Sequence, residues 1–140
     1  GSEMCIRDRL GAVGVQLGTR FLVAKECGVH QNYKNKVLKA NDIATMSTGK
    51  RLGHPVRSIK NPYTKEYFKL EYSNISDEEL EAYGRGSLYR AAVEGDEKTG
   101  CFLAGQIAGM VNKEQTAKEI IEEIFTQAED VLKGATKWVK

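Results

Sequence analysis

The feature that most constrains this chain is a single run of small and branched apolar residues near its N-terminus. Residues 12–17, Ala-Val-Gly-Val-Gln-Leu, resemble strands of parallel sheets, which are buried on both faces. A helix predicted from Thr19 follows at once, as in a βα unit. A parallel strand needs hydrogen-bonded partners, yet helices are predicted for nearly all of the chain that follows. We therefore expect a fragment of a larger α/β fold, with the partner strands upstream.

Helical signals recur through the rest of the chain. Pro62 suits the first turn of a helix, Ser76 and Glu79 form a capping box, and Gly95 is placed to end a helix. Residues 41–61 have no period and contain several basic side chains, so an irregular, positively charged segment is predicted there. The predicted helices cover residues 32–40, 62–70, 76–83 and 86–94.

The strongest helical pattern is at the C-terminus. Apolar residues recur at spacings of three and four from Ala117 to Ala135, with charged residues between them. Asn112 and Gln115 suggest a cap, so we expect a helix of about five turns starting near Lys113. Trp138 is expected to pack at its end.

Composition limits the classes of function. The 140 residues suffice for one domain, and 21 basic against 19 acidic side chains leave a net charge of +2. That charge is too small to indicate binding of nucleic acid or of an anionic membrane, and no apolar run is long enough to span a bilayer. The three cysteines are scattered, without the spacing of a zinc site or a disulfide framework. We therefore expect no metal and a reducing, cytoplasmic location.

Three blocks of sequence carry a family resemblance. The first block is GVQLGTRFLVAKECGVHQNYK (residues 14–34), the second GHPVRSIKNPYT (53–64) and the third AGQIAGMV (104–111). In this order they resemble the C-terminal part of the flavin-dependent enoyl-acyl-carrier-protein reductase II family, which is related to the nitronate monooxygenases. The resemblance implies an FMN-binding TIM barrel, of which this chain would hold the last strand and helix and an appended, mainly helical region.

The resemblance also implies a division of the chain. Residues 1–9 match nothing and are expected to be a non-native or disordered leader. Residues 10–41 would be the last βα unit of the barrel, and residues 42–112 an irregular and helical region on the substrate side. Residues 113–140 would form an amphipathic helix that packs on the barrel.

By resemblance, the FMN contacts are Gln16, Leu17, Gly18 and Thr19. Physical reasoning supports a phosphate site there, because Gly18 has no Cβ to block its amide and Thr19 adds a hydroxyl. The following helix directs its free N–H groups to the same place. The alternative is that Gly18 only makes a tight turn between strand and helix.

Candidates for the substrate side are His54, Arg57 and Gln106. The basic rim of the second block suits an acidic carrier protein, whereas a solvated charged loop is the alternative. The small residues around Gln106 are expected to permit a close backbone approach, and Gln106 itself is equally compatible with a ligand contact or with internal packing. The family's catalytic histidine belongs to a segment that is not in this chain, so no catalytic residue is assigned.

The function implied by the resemblance is reduction of an enoyl thioester on acyl-carrier protein. Hydride would pass from NADH or NADPH through FMN to the substrate. The full-length enzyme is expected to be capable of forming a homodimer. The alternatives are a nitronate monooxygenase, which combines FMN with oxygen, and a non-catalytic helical module that binds a partner. The isolated chain is expected to be inactive.

Overall fold

The computed structural model describes residue 11 and residues 14–135. Predictions for residues 1–9, for Ala12 and Val13 and for Trp138 lie outside these residues. The two strands are β1 (Thr45–Thr48) and β2 (Val56–Ile59), a π-helical turn covers Arg90–Glu94, and a 3-10 helix covers Gln106–Met110. The α-helices are α1 (Thr19–Leu22), α2 (Gln31–Leu38), α3 (Pro62–Glu71), α4 (Asp77–Gly84), α5 (Ser87–Tyr89) and α6 (Ala117–Ala135).

The strand predicted at residues 12–17 is wrong for the part that the structure describes. Residues 14–18 have no regular secondary structure, and Gln16, Leu17 and Gly18 are exposed. A parallel strand forms only between hydrogen-bonded neighbours. The described residues provide no strand or bridge that pairs with this segment. Without such a partner its apolar sequence does not form a strand.

The predicted irregular segment at residues 41–61 contains a hairpin instead. β1 and β2 pair antiparallel, with Thr45 opposite Ile59 and Thr48 opposite Val56. The buried positions of the two strands include Thr45, Thr48 and Ser58, which are polar. The usual alternation of apolar and polar residues is therefore missing from the sequence, which is why the strands were not predicted.

The caps of α3 and α4 confirm the corresponding sequence signals. The Asn61 side chain accepts from the Thr64 amide at 2.9 Å, Pro62 occupies the first turn of α3, and the α4 capping box joins Ser76 and Glu79. Gly95 ends the π-helical turn with φ of 64°, as predicted for a helix-ending glycine. The helix predicted at residues 86–94 is thus present but divides into α5 and the π-helical turn.

Helix α6 begins at Ala117, four residues later than predicted. Its cap is formed by Thr116, whose hydroxyl accepts from the Glu119 amide at 3.2 Å, and not by Asn112 and Gln115. Gln115 is occupied elsewhere, because its carbonyl accepts from the Lys25 amide at 2.9 Å. None of the described helices combines the length and the apolar character needed to cross a membrane.

The buried residues form two clusters. The larger centres on Phe102, which is fully buried and packs edge-on against Tyr33 with ring centroids 5.0 Å apart. The smaller lies between α3 and α4 and includes the buried Cys101. Helix α6 adds Ile120 to the buried residues of the described chain. Ile124 is half-buried, and the other large apolar side chains of the helix are exposed, namely Ile121, Phe125, Val131 and Leu132.

Burial of Tyr63 leads to a prediction about alkaline stability. Desolvation raises the pKa of its hydroxyl to about 12. Since the unfolded hydroxyl ionises near pH 10, the free energy of unfolding is expected to fall by about 1.4 kcal/mol per pH unit between pH 10 and 12 through this group. Below pH 10 the contribution is constant. Urea unfolding of the wild type and of Tyr63→Phe across this range measures it, because the variant retains Tyr33, whose pKa is also raised by burial. A difference between the two proteins that does not change with pH would contradict the prediction.

Candidate functional site

The start of α1 leaves backbone donors open to a ligand. The carbonyl of Gly18 accepts from the amides of Phe21 at 2.9 Å and Leu22 at 3.3 Å. Helix geometry leaves the amides of Thr19 and Arg20 without an acceptor inside the helix. A Cβ placed on the exposed Gly18 would meet no heavy atom of the described residues within 4 Å. The described residues therefore leave open space on the Cβ side of Gly18, next to these amides in sequence.

The hydroxyl of Thr19 joins the first block to the third. It accepts a hydrogen bond from the Gly105 amide at 2.9 Å, across 86 residues of chain. The oxygen is therefore fixed in position while its own hydrogen stays available to donate. Gln106 follows Gly105 directly and is exposed at the start of the 3-10 helix. The structure thus places Gln106 next in sequence to the residue that contacts Thr19.

The main chain of Arg57 lies next to the same segment. Its carbonyl accepts from the Ala104 amide at 3.1 Å, and its guanidinium donates to the Thr45 hydroxyl at 3.2 Å. His54 lies instead in the turn of the hairpin, exposed, with its amide bonded to the Gly49 carbonyl at 3.0 Å. Residues 104–105 therefore connect Arg57 with Thr19, whereas His54 is on the hairpin turn.

The sequence analysis did not identify the contacts that connect α1 and α2 to residues 113–115. The guanidinium of Arg20 donates to the Lys113 carbonyl at 3.3 Å and to the side-chain oxygen of Gln115. The buried ammonium of Lys34 donates to the Ala24 carbonyl at 2.8 Å and pairs with Glu114 at 3.1 Å. The available signal was the spacing of Lys34, which is three residues before the buried Val37 on α2.

The groups at the start of α1 are of the kind that binds and orients a ligand. Burial raises the pKa of the Cys101 thiol, which keeps it protonated and a poor nucleophile. Among the described residues, no group of three or more His, Cys, Asp or Glu side chains is arranged to hold a metal ion. Backbone amides and the Thr19 hydroxyl are the groups that a phosphate would use.

The small residues of the third block permit a close backbone approach, as predicted. A Cβ on Gly109 would lie 2.7 Å from the carbonyl carbon of Asn41 and 2.8 Å from the nitrogen of Asp42. These atoms belong to the backbone and cannot turn away. Gly109 thus fixes the 3-10 helix against the segment that leads into the hairpin.

We expect Gly109→Ala to lower the free energy of unfolding by about 1–3 kcal/mol, the usual cost of overpacking. The matched control is Gly134→Ala in α6, where a Cβ meets nothing within 4 Å. There the substitution is expected to stabilise by up to about 1 kcal/mol, because glycine is a poor helix former. Urea unfolding of both variants tests the difference in sign. Equal effects would contradict the close approach.

Comparison with known proteins identifies a family and a similar fold. The family model described as "Nitronate monooxygenase" matches residues 8–127. The structure of FabK from Thermotoga maritima superposes with a TM-score of 0.93 at 37% identity, covering 99% of this chain and 44% of that one. The α/β fold is therefore similar to that of a longer protein, and the resemblance of the three blocks is confirmed.

Curated relatives give the same family. A "Probable nitronate monooxygenase" of Staphylococcus haemolyticus is 30% identical over 121 residues, covering 84% of this chain and 34% of the relative. One of Staphylococcus saprophyticus is 29% identical over 124 residues, covering 88% and 34% respectively. The chain thus spans about a third of the length of these relatives. On the match over residues 8–127, this chain belongs to the nitronate monooxygenase family.

Proposed function

We propose that the full-length protein is an FMN-dependent enoyl-acyl-carrier-protein reductase of the FabK type. The observation that carries the proposal is the likeness to FabK over 99% of the chain at 37% identity, which exceeds the 30% and 29% identity to the two staphylococcal relatives. The three sequence blocks support the same choice. NADH or NADPH would be the hydride donor, and the enoyl group would arrive on acyl-carrier protein.

The residues at the start of α1 fit the phosphate of FMN. Gly18 leaves open space, the amides of Thr19 and Arg20 are free of helical acceptors, and the Thr19 hydroxyl is fixed by Gly105. The positive end of the helix favours an anion at this position, although four residues make only a small dipole. Gln16 and Leu17 would line the adjoining part of the site. Bound FMN would supply the transfer of hydride, for which this chain provides binding and orientation.

The test is made on the full-length protein with two reactions. Reduction of a crotonyl thioester, followed as oxidation of NADH or NADPH, is expected to proceed. Oxygen uptake with an alkyl nitronate is expected to be slow by comparison. The reverse result would favour nitronate monooxygenase, the second candidate, which the family model and the curated relatives support. A full-length protein without flavin or either activity would favour the helical binding module.

The isolated 140-residue chain is expected to be inactive. Its described residues offer one part of a phosphate site, and no catalytic residue is assigned in it. Purified chain that carries yellow FMN and oxidises NADH would contradict this expectation.

A further inference from the structure

A basic groove lies between α2 and α3, in a part of the chain outside the proposed phosphate site. Two clefts of about 440 and 710 Å³ adjoin there and share Lys36, Lys60 and Glu97. Six lysines and two glutamates among the lining residues leave a local charge of +4, against +2 for the whole chain. We call this surface the lysine groove, and its cations are Lys36, Lys39, Lys60, Lys65, Lys69 and Lys98.

Most of this positive charge is not neutralised inside the groove. Lys36 pairs with Glu97 at 2.9 Å and Lys69 with Glu66 at 3.2 Å. The ammonium of Lys60 donates to the Ile43 carbonyl at 2.7 Å, which satisfies a hydrogen bond but leaves the charge. The remaining cations, Lys39, Lys65 and Lys98, are exposed and form no ion pair with a described carboxylate.

The arrangement of these cations favours an acidic protein surface over other anionic partners. Lys36 lies in α2, and Lys39 follows the last residue of that helix, about one turn away. Lys65 and Lys69 lie one turn apart on α3. Lys60 lies between the two helices in sequence. Rows of separate point charges match carboxylates spaced along an acidic helix. Sites for single-stranded nucleic acid commonly add stacking aromatic rings and arginine to their lysines, and the described lining residues of the two clefts include neither.

We propose that the lysine groove is the docking surface for a carboxylate-rich protein helix. The inference rests on the proposed function in one respect, since the acidic protein is then the carrier that brings the enoyl substrate. Complementary charge of this kind speeds encounter and fixes orientation, and salt screens it. The groove would thus select a carrier-linked thioester over the same acyl group on a small thiol.

The experiment compares the full-length wild type with a triple variant, Lys39→Glu, Lys65→Glu and Lys98→Glu. Crotonyl thioesters of a carrier protein, of coenzyme A and of N-acetylcysteamine are the substrates. We expect the KM for the carrier-linked substrate to rise by at least about tenfold, with kcat and both small thioesters changed by less than about twofold. The wild-type KM for the carrier-linked substrate should rise with salt, and that of the variant much less.

The matched control reverses the same number of exposed charges elsewhere, at Lys25, Lys50 and Lys118. It is expected to match the wild type. An unchanged carrier KM in the groove variant, or an equal rise in the control, would overturn the proposal. So would a rise confined to coenzyme A, which would identify the groove as a phosphate site. Activity with N-acetylcysteamine also shows that the variant is folded.

Failure of the proposed function gives a different result from failure of the docking inference. If the wild type reduces none of the three thioesters, the proposed function fails and binding of the labelled carrier protein is measured directly. A dissociation constant at least about tenfold weaker in the groove variant than in the control would still support docking. Equal binding, or none to the wild type, would overturn it.

Discussion

Replacing Gly18 with aspartate is expected to lower the affinity of the full-length protein for FMN by about 100-fold, which corresponds to about 2.7 kcal/mol. The new carboxylate would stand beside the amides of Thr19 and Arg20, where the phosphate is proposed to bind, and like charges repel there. The dissociation constant is measured by quenching of flavin fluorescence on titration of the apoprotein. The thermal stability of the apoprotein should change little, because a Cβ at residue 18 meets no atom within 4 Å.

Two further variants test whether the effect of Gly18→Asp comes from the added charge, from the added side-chain volume or from the position of the residue. Gly18→Ala adds only a methyl group in open space and is expected to cost much less than the aspartate. Gly28→Asp introduces the same charge at another exposed glycine with open surroundings and is expected to leave FMN affinity unchanged. If Gly18→Asp binds FMN like the wild type, residues 16–19 are not the phosphate site.

Truncation of Phe102 to alanine is expected to lower the free energy of unfolding of the 140-residue chain by about 3–5 kcal/mol. The ring is fully buried, packs edge-on against Tyr33 and has the Lys36 ammonium 5.3 Å from its centroid. Its removal leaves a cavity where β2, α2 and the third block meet. Urea unfolding followed by circular dichroism measures the loss.

Phe125→Ala is the matched control, since it removes the same ring from α6. This side chain is 63% exposed, so in the 140-residue chain its truncation should cost less than about 0.5 kcal/mol. In the full-length protein the cost should rise towards that of a core phenylalanine if α6 packs on the barrel as the sequence predicts. Equal costs for Phe102 and Phe125 in the short chain would contradict the described core.

Elements whose signals are local were predicted correctly. The box of Ser76 and Glu79 bonds groups only three residues apart, and Pro62 occupies the first turn of α3 as predicted. Neighbours in sequence are enough to define such contacts, and tertiary packing only has to accept them. The third block is a partial success, because its small residues indicated close approach but not which segment approaches.

Elements that depend on distant partners were missed. Helix α6 begins later than predicted because the carbonyl of Gln115 accepts a hydrogen bond from the Lys25 amide. The buried ammonium of Lys34 pairs with Glu114, 80 residues away. The strands of the hairpin bury Thr48 and Ser58, whose burial cannot be deduced from a pattern of apolar residues. The strand predicted before Gly18 lacks a described partner, so its sequence preference is not realised.

The amino-acid sequence by itself determined the family, the caps of α3 and α4 and the amphipathic character of α6, since each depends on residue order or on neighbours along one helix. Only the tertiary structure brought Thr19 to Gly105 and assembled six lysines from two helices and three connecting segments into one groove. The physical reason is that hydrogen bonds and charge fields act through space. Residues 86 positions apart can therefore share a contact that no spacing in the sequence reveals.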